Sequence, residues 1–282
     1  MAWIACSLLT GSARAMDLEL YGALLERHTV AVDDIASTRV DYGALAKSAD
    51  WDRLVRSLAA SDPEQLASRA EKLAFWINAY NVLAIEIVRR HHPIDGIRSI
   101  GSLFSPVWKR PAGSIGGRDY TLDEIEHRIL RPMGEPRIHA AIVCASNSCP
   151  PLRREPYRAD RLDAQLDDNV GRWLADPRKG ARVDRAAKTL WLSPILDWFE
   201  EDFREGVVPF VARHAPPPVA EWIREQGPAL RIRHFDYDWS LNDIRASGAP
   251  GAQSRLDRSP GPKTRPDRHD APPAGPGAGS RT

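Results

Sequence analysis

Residues 138–152 read IHAAIVCASNSCPPL, and this stretch combines an apolar run with a loop that carries two cysteines. An apolar run carries His139, gives way to a short polar loop between Cys144 and Cys149, and stops at two prolines. Short apolar runs with β-branched residues, bounded by turn-forming residues, are typical of a buried strand. We therefore predict a strand from Arg137 to Cys144 that delivers reactive side chains to a surface loop.

The two cysteines of this loop have several interpretations. In an oxidising compartment the default is a Cys144–Cys149 disulfide, which would hold Ser146 and Ser148 in a rigid binding surface. A zinc site is not predicted, because the sequence has no second Cys or His pair at zinc spacing, and no cofactor is predicted either. A redox-exchange role ranks third, because C-x4-C differs from the usual C-x-x-C spacing.

A catalytic interpretation makes Cys149 a thiolate nucleophile and His139 its general base. Asn78 or an acidic group would orient the second ring nitrogen, as in Cys-His-Asn sites. Along a regular strand Cys144 would point away from the face of His139, whereas Cys149 lies beyond the strand and can return to that face. The alternative for His139 alone is a hydrogen-bonded histidine of the core.

The segment from Leu73 to Val88 is apolar on nearly every face, which predicts a buried helix. Asn78 and Asn81 interrupt it about one turn apart and share a face. Each buried donor or acceptor left without a partner costs on the order of 1–3 kcal/mol, so both amides must meet partners. They either brace a neighbouring loop or help to form a site.

An acidic run, Asp197 and Glu200 to Asp202, surrounds buried-type aromatic residues. Such a run is most often a solvated helix face. Asp197 and Glu201 are also spaced to share a face, and paired carboxylates can perform acid–base chemistry or bind a cation. We include Asp202 among the candidate orienting residues.

The pattern of elements predicts the fold class. Hairpins are predicted around residues 107–120 and 181–192, and a final strand at 230–235. The strands are few, are scattered among helices, and show no repeating βαβ period. The sequence therefore predicts a helix-rich α+β fold, a single domain over residues 16–245 with a small, mostly antiparallel sheet.

Both termini differ in composition from the central part. An apolar run at residues 3–10 precedes the small-residue sequence at 13–15, which predicts a signal peptide over residues 1–15 and a periplasmic or secreted protein. Because the run is short and lacks a preceding Lys or Arg, the alternative is a cytoplasmic protein that starts at Met16. Residues 246–282 are rich in Pro, Gly and Ala, which predicts a disordered tail.

Composition limits the classes of partner. The chain has 282 residues and a net charge of +1, so neither nucleic acid nor acidic lipid is predicted as a partner. No segment after the N-terminal run has the ~18 consecutive apolar residues of a transmembrane helix. The partner stays unknown, and a small molecule or a peptide fits this composition.

Several long motifs, in one order along the chain, resemble the DUF547 family. They are FWINAYN at 75–81, the 138–152 stretch, WFEEDF at 198–203 and YDWSLN at 237–242, with Val40-Asp41-Tyr42 fitting the entry segment. The resemblance covers about Val40 to Asn242. Its bacterial members resemble exported proteins, which supports the predicted export. The family is named for lacking an assigned function, so the resemblance implies no catalytic residues.

Two functions follow from the sequence. The first is a thiol-dependent hydrolase or acyl transferase acting on an amide or ester, with its site where the Asn78 and Asn81 helix meets His139 and Cys149. The second is a non-catalytic binding or scaffolding module in which the Cys144–Cys149 disulfide is structural. The sequence leaves open whether the protein is an enzyme.

Overall fold

The computed structural model describes residues 16–102, 105–227 and 230–245. The predicted signal peptide, 1–15, and the predicted tail, 246–282, lie outside these described residues. Within them the predicted fold class is confirmed, because helices dominate and the strands form small sheets of two or three members.

The helices and strands alternate irregularly along the chain. The α-helices are α1 Leu18–His28, α2 Tyr42–Leu45, α3 Ala49–Ala59, α4 Arg69–His91, α5 Leu122–Glu124, α6 Ile138–Ala141, α7 Leu162–Ala175, α8 Ile195–Trp198, α9 Val207–His214 and α10 Pro217–Gln226. A π-helical segment, Ile125–Leu130, continues α5. The strands are β1 Thr29–Ala31, β2 Thr38–Val40, β3 Pro111–Ile115, β4 Arg118–Thr121, β5 Ala181–Asp184, β6 Thr189–Leu192 and β7 Arg231–His234.

The strands form three small sheets. Antiparallel pairs join β1 to β2 and β3 to β4, and the third sheet has the order β5-β6-β7. Both predicted hairpins are confirmed, although the first begins at Pro111, after a 3-10 turn at Val107–Lys109. The predicted final strand is confirmed as β7, which pairs in parallel with β6.

Helix α4 forms the centre of the main hydrophobic core. Ser68 and Glu71 close a capping box at its N-terminus, and every residue from Leu73 to Val88 is buried, as predicted. None of the helices in the part of the chain described here combines the length and the apolar character needed to cross a bilayer.

The predicted strand from Arg137 to Cys144 is wrong. Residues Ile138–Ala141 form the short helix α6, and the chain becomes extended only at Ile142. The apolar run fits either structure, since a short run without clear period does not distinguish a buried strand from a buried helical turn. The predicted separation of His139 and Cys144 onto opposite strand faces therefore does not apply.

Side-chain amides replace a neighbouring strand at this point. Asn81 donates from Nδ2 to the Ala141 carbonyl oxygen (2.9 Å) and accepts from the Val143 N–H at Oδ1 (2.8 Å). Asn78 forms the same pair of bonds with both backbone groups of Tyr157, at 2.7 and 2.9 Å. The two amides of α4 thus brace the chain on both sides of the cysteine loop, which is the structural alternative considered for them.

We expect Asn81→Ala to lower the free energy of unfolding by about 2–4 kcal/mol, because it leaves a buried N–H and a buried carbonyl without partners. Urea unfolding measures this difference. Lys47→Ala, at an exposed side chain without a hydrogen bond among the described residues, is the control and should stay within about 0.5 kcal/mol of the parent. An Asn81→Ala protein as stable as the control would contradict the bracing role.

Candidate functional site

A small pocket of about 50 Å³ lies where α4, α6 and α8 meet the cysteine loop, residues 144–149, and the C-terminal segment, residues 237–242. Its polar lining consists of Tyr80, Glu126, His139, Cys144, Cys149 and Tyr237. Its apolar lining includes Trp108, Trp198, Phe199 and Trp239. Two of the predicted site residues, His139 and Cys149, therefore share one pocket although the strand predicted to connect them is absent.

The two cysteines lie at disulfide distance. Their Sγ atoms are close enough for a bond, and their Cα atoms are 6.4 Å apart. Cys149 is buried, with 2% of its surface exposed, whereas Cys144 is partly exposed at the pocket. This geometry fits the predicted Cys144–Cys149 disulfide.

The C-terminal segment holds the cysteine loop by its backbone. Asn147 N–H donates to the Ser240 carbonyl at 2.9 Å, and Ser148 N–H donates to the Asp238 carbonyl at 3.2 Å. The Ser148 hydroxyl accepts from the Asp238 N–H at 2.9 Å. Ser148 is therefore a structural residue of the loop, and its hydroxyl is turned to this segment.

A buried lysine holds the other side of the loop. Lys179 Nζ donates to the carbonyl oxygens of Ala36 (3.0 Å), Asn147 (3.3 Å) and Cys149 (2.7 Å). Its side chain is 2% exposed, and burial lowers its pKa to about 7. Three carbonyl acceptors match the three protons of an ammonium group, so the lysine fixes the Cys149 backbone.

Hydrogen-bond donors converge on the Cys149 sulfur. The Cys144 N–H lies 3.1 Å and the Tyr237 hydroxyl 3.2 Å from Sγ. The Ser146 hydroxyl is 3.3 Å from Sγ and 3.1 Å from the Tyr237 oxygen, so its single proton can serve either acceptor. Donors around a sulfur stabilise it most when it is a thiolate, because a charged acceptor forms the stronger hydrogen bond.

His139 is held by a carboxylate. Its Nε2 lies 2.7 Å from Asp202 Oδ2, and its ring stacks on Phe199 with centroids 4.3 Å apart. Because a carboxylate only accepts, Nε2 carries the proton and Nδ1 carries the lone pair in the neutral ring. Nδ1 makes no hydrogen bond to any residue within the described ranges. The hydrogen bond to Asp202 thus orients the ring and leaves Nδ1 unprotonated and able to accept a proton.

Charges around this pair favour a neutral imidazole beside an ionised carboxylate. Burial lowers the pKa of His139 below its ordinary value, against the raising effect of Asp202. Burial alone would raise the pKa of Asp202, but hydrogen bonds from His139 and from Arg131 outweigh it and lower that pKa to about 2. Arg131 reaches Asp202 at 2.7 and 3.0 Å and also pairs with Glu201.

The structure separates the remaining candidates. Asp202 contacts His139, whereas Asp197 and Glu200 are exposed, as expected for a solvated acidic face. The side-chain amides of Asn78 and Asn81 form hydrogen bonds to backbone groups next to the loop, so neither orients the imidazole of His139. Asp202 occupies the orienting position in their place.

Sequence reasoning did not identify Glu126, Tyr80, Tyr237 or Lys179 as site residues. Glu126 is 6% exposed, and its Oε2 accepts from the Tyr80 hydroxyl at 3.3 Å. A signal for it existed, because Glu126 lies four residues from the buried Leu122 and Leu130 and thus on an apolar helix face. Tyr80 and Tyr237 lie in the FWINAYN and YDWSLN motifs, whereas Lys179 has no local signal.

Across the described ranges, no group of three or more His, Cys, Asp or Glu side chains is placed to hold a metal ion.

Glu126→Gln should change the pH dependence of stability. Burial raises the pKa of Glu126 to about 7, so the folded parent binds a proton that the unfolded chain has lost above about pH 4.5. The parent therefore loses stability as the pH rises from about 4.5 to about 7. Across this window we expect the free energy of unfolding of the glutamine variant to rise relative to that of the parent, by up to about 3 kcal/mol at pH 8. Urea unfolding at several pH values measures it, and a difference that does not vary with pH would contradict it.

Comparison with known proteins gives one match. Residues 63–174 match the family described as "Protein of unknown function, DUF547". Neither the curated proteins nor the solved structures contain a significant match to this chain. The matched region includes helix α4, the first hairpin and the whole cysteine loop, and ends before the WFEEDF and YDWSLN motifs. The match supports the family assignment predicted from the motifs, which is DUF547.

Proposed function

We propose that this protein is, with its cysteines reduced, a thiol-dependent hydrolase or acyl transferase that acts on an amide or ester. Cys149 is the nucleophile, His139 the general base, and Asp202 the positioning residue. The observation that carries the proposal is the hydrogen bond to Asp202 from His139, which lines the same pocket as Cys149. The nucleophile and the base both come from the 138–152 stretch, and the fold brings the orienting acid from Asp202.

The surroundings of each group support its role. A neutral His139 can accept a proton from a thiol, and an ionised Asp202 stabilises the imidazolium that results. The donors around Cys149 favour the thiolate that is left. No helix begins after the loop, since two prolines follow Cys149, so these side-chain and backbone donors take the place of a helix dipole.

The reaction proceeds in two steps. The Cys149 sulfur attacks the carbonyl carbon of the substrate, the new carbon–sulfur bond forms a thioester, and the amine or alcohol leaves with the proton that His139 took from the thiol. Water, or an acceptor amine or alcohol, then attacks the thioester and gives its proton to His139. The carbon–sulfur bond breaks, and the imidazolium returns the proton to the cysteine sulfur.

The oxidised pair favours a second function. A bonded Cys144–Cys149 pair has no nucleophilic thiol, and it fits a binding or scaffolding module whose loop is fixed by the bridge. Reduction by a thiol compound, which supplies two electrons and two protons, converts this state into the one required for catalysis. Export to an oxidising compartment remains our inference for the localisation, and it would favour the bridged state.

Cys144→Ser leaves Cys149 as a free thiol and gives a direct test. We expect its alkylation by iodoacetamide to rise with a midpoint well below about pH 8.5, the value of an ordinary cysteine, because His139 takes the proton. Adding His139→Gln should move the midpoint up by about 1–2 pH units, and adding Asp202→Asn should move it in the same direction by less. Intact-mass spectrometry across a pH series follows the reaction.

Cys149→Ser, in which only Cys144 remains in the loop, is the matched control and should alkylate without dependence on His139. Near-ultraviolet circular dichroism establishes that each variant keeps its fold. A Cys149 profile with an ordinary midpoint that His139→Gln leaves unchanged would overturn the enzymatic proposal in favour of the structural module.

A further inference from the structure

Glu126 is a buried carboxyl without a cation partner. It lines the pocket, its Oε2 meets only the Tyr80 hydroxyl, and it forms no ion pair with any residue in the described part of the chain. The nearby cation, Arg131, binds Asp202 and Glu201 instead. An ionised carboxylate in an apolar pocket lowers stability unless a positive group lies beside it. A cationic ligand could supply that group for Glu126.

The pocket walls are aromatic and already attract cations. The Arg98 guanidinium lies 5.0 Å from the centroid of Trp239, and Arg131 lies 5.3 Å from that of Phe199. Trp198 and Trp239 stack in parallel with centroids 5.8 Å apart, and both rings also line the pocket. The negative faces of such rings stabilise an ammonium group, and indole does so best.

We propose that this pocket binds the ammonium group of an aliphatic amine, such as the end of a lysine side chain, between the Glu126 carboxylate and the tryptophan walls. The pocket volume of about 50 Å³ has room for a small group such as an ammonium with its neighbouring methylenes. The inference rests on the proposed function only in making this amine part of the substrate whose carbonyl group reaches Cys149.

Charge complementarity excludes the other simple ligand classes. Glu126 would repel an anionic group in the pocket, as would the ionised Asp202 behind His139, and Arg131 is already neutralised by its two partners. A purely apolar group would leave the Glu126 carboxylate without a positive charge beside it. An ammonium group satisfies the carboxyl and the aromatic faces together.

Binding of a cation here is linked to protonation. Burial raises the pKa of Glu126, and a bound ammonium would lower it again, so the complex forms with release of a proton near neutral pH. The titratable and charged groups that act on Glu126 are Tyr80 from α4, Asp123 from α5, Arg131, Asp202 and, from the C-terminal segment, Tyr237. Affinity should therefore increase as Glu126 ionises.

The test uses the full chain as the Cys149→Ser variant, which binds without reacting. Tryptophan fluorescence is titrated with n-butylammonium chloride, and 1-butanol serves as a neutral probe of similar shape. We expect saturable binding of the amine at about pH 8 that is at least about tenfold weaker for 1-butanol, for the Glu126→Gln variant, and at about pH 5.5. Glu126→Gln keeps the shape of the side chain, and its unfolding curve establishes that it is folded.

Equal affinity of n-butylammonium for the parent and the Glu126→Gln protein, or no saturable binding, would overturn the inference. Its failure is distinguishable from failure of the proposed function. Amine binding with an ordinary, unactivated Cys149 would remove the enzyme and leave the amine site. An activated Cys149 without preference for the amine would keep the enzyme and remove the amine site.

Discussion

The site depends on the hydrogen bonds that the Asn81 side chain makes to the backbone just before the cysteine loop. Helix α4 is buried on every face from Leu73 to Val88, and the two asparagine amides are the polar groups through which it supports the chain on both sides of the cysteine loop. The Asn81 amide donates one hydrogen bond to Ala141 and accepts one from Val143, as an adjacent strand would. From there the chain enters the loop in a fixed direction, and Asn78 fixes the exit segment at Tyr157 in the same way.

Fixing the two ends of the cysteine loop would not by itself fix the position of the Cys149 sulfur. The loop is also held by the C-terminal segment, through Ser240 and Asp238, and by the ammonium group of Lys179. These contacts join residues that are far apart in the sequence. They explain why the YDWSLN motif accompanies the cysteine stretch, since its residues hold the loop.

Features that depend on local sequence could be predicted, and features that depend on tertiary packing could not. Helix α4, both hairpins and the placement of His139 and Cys149 around one pocket were predictable, because they rest on local periodicity, turn residues and residue chemistry. The strand before Cys144 was not, because the short apolar run has no decisive period and side-chain amides satisfy its backbone. Asp202 stood among several acidic residues, and only tertiary packing selects it. Lys179 and Glu126 are buried charges, whose partners sequence position alone does not reveal.

Groups whose burial opposes folding lie in or next to the pocket. Glu126 and His139 line it, Asp202 contacts His139, and Lys179 holds the cysteine loop from its other side. Such a concentration is typical of functional sites, where pKa values are perturbed by burial and by specific partners. The cysteine pair adds a second variable, because only its reduced form has a thiol at the pocket. The chemistry open to the pocket therefore depends on the oxidation state of one short loop.

The most direct measurement of this account is the nitrogen-15 NMR spectrum of the His139 side chain, recorded near pH 7 on the oxidised and on the reduced protein. In the oxidised protein we expect a neutral ring protonated at Nε2, where Asp202 accepts the hydrogen bond. In the reduced protein we expect an imidazolium protonated at both nitrogens, because Cys149 transfers its proton to Nδ1. An identical neutral ring in both states would contradict the pairing of Cys149 with His139 on which the proposed function depends.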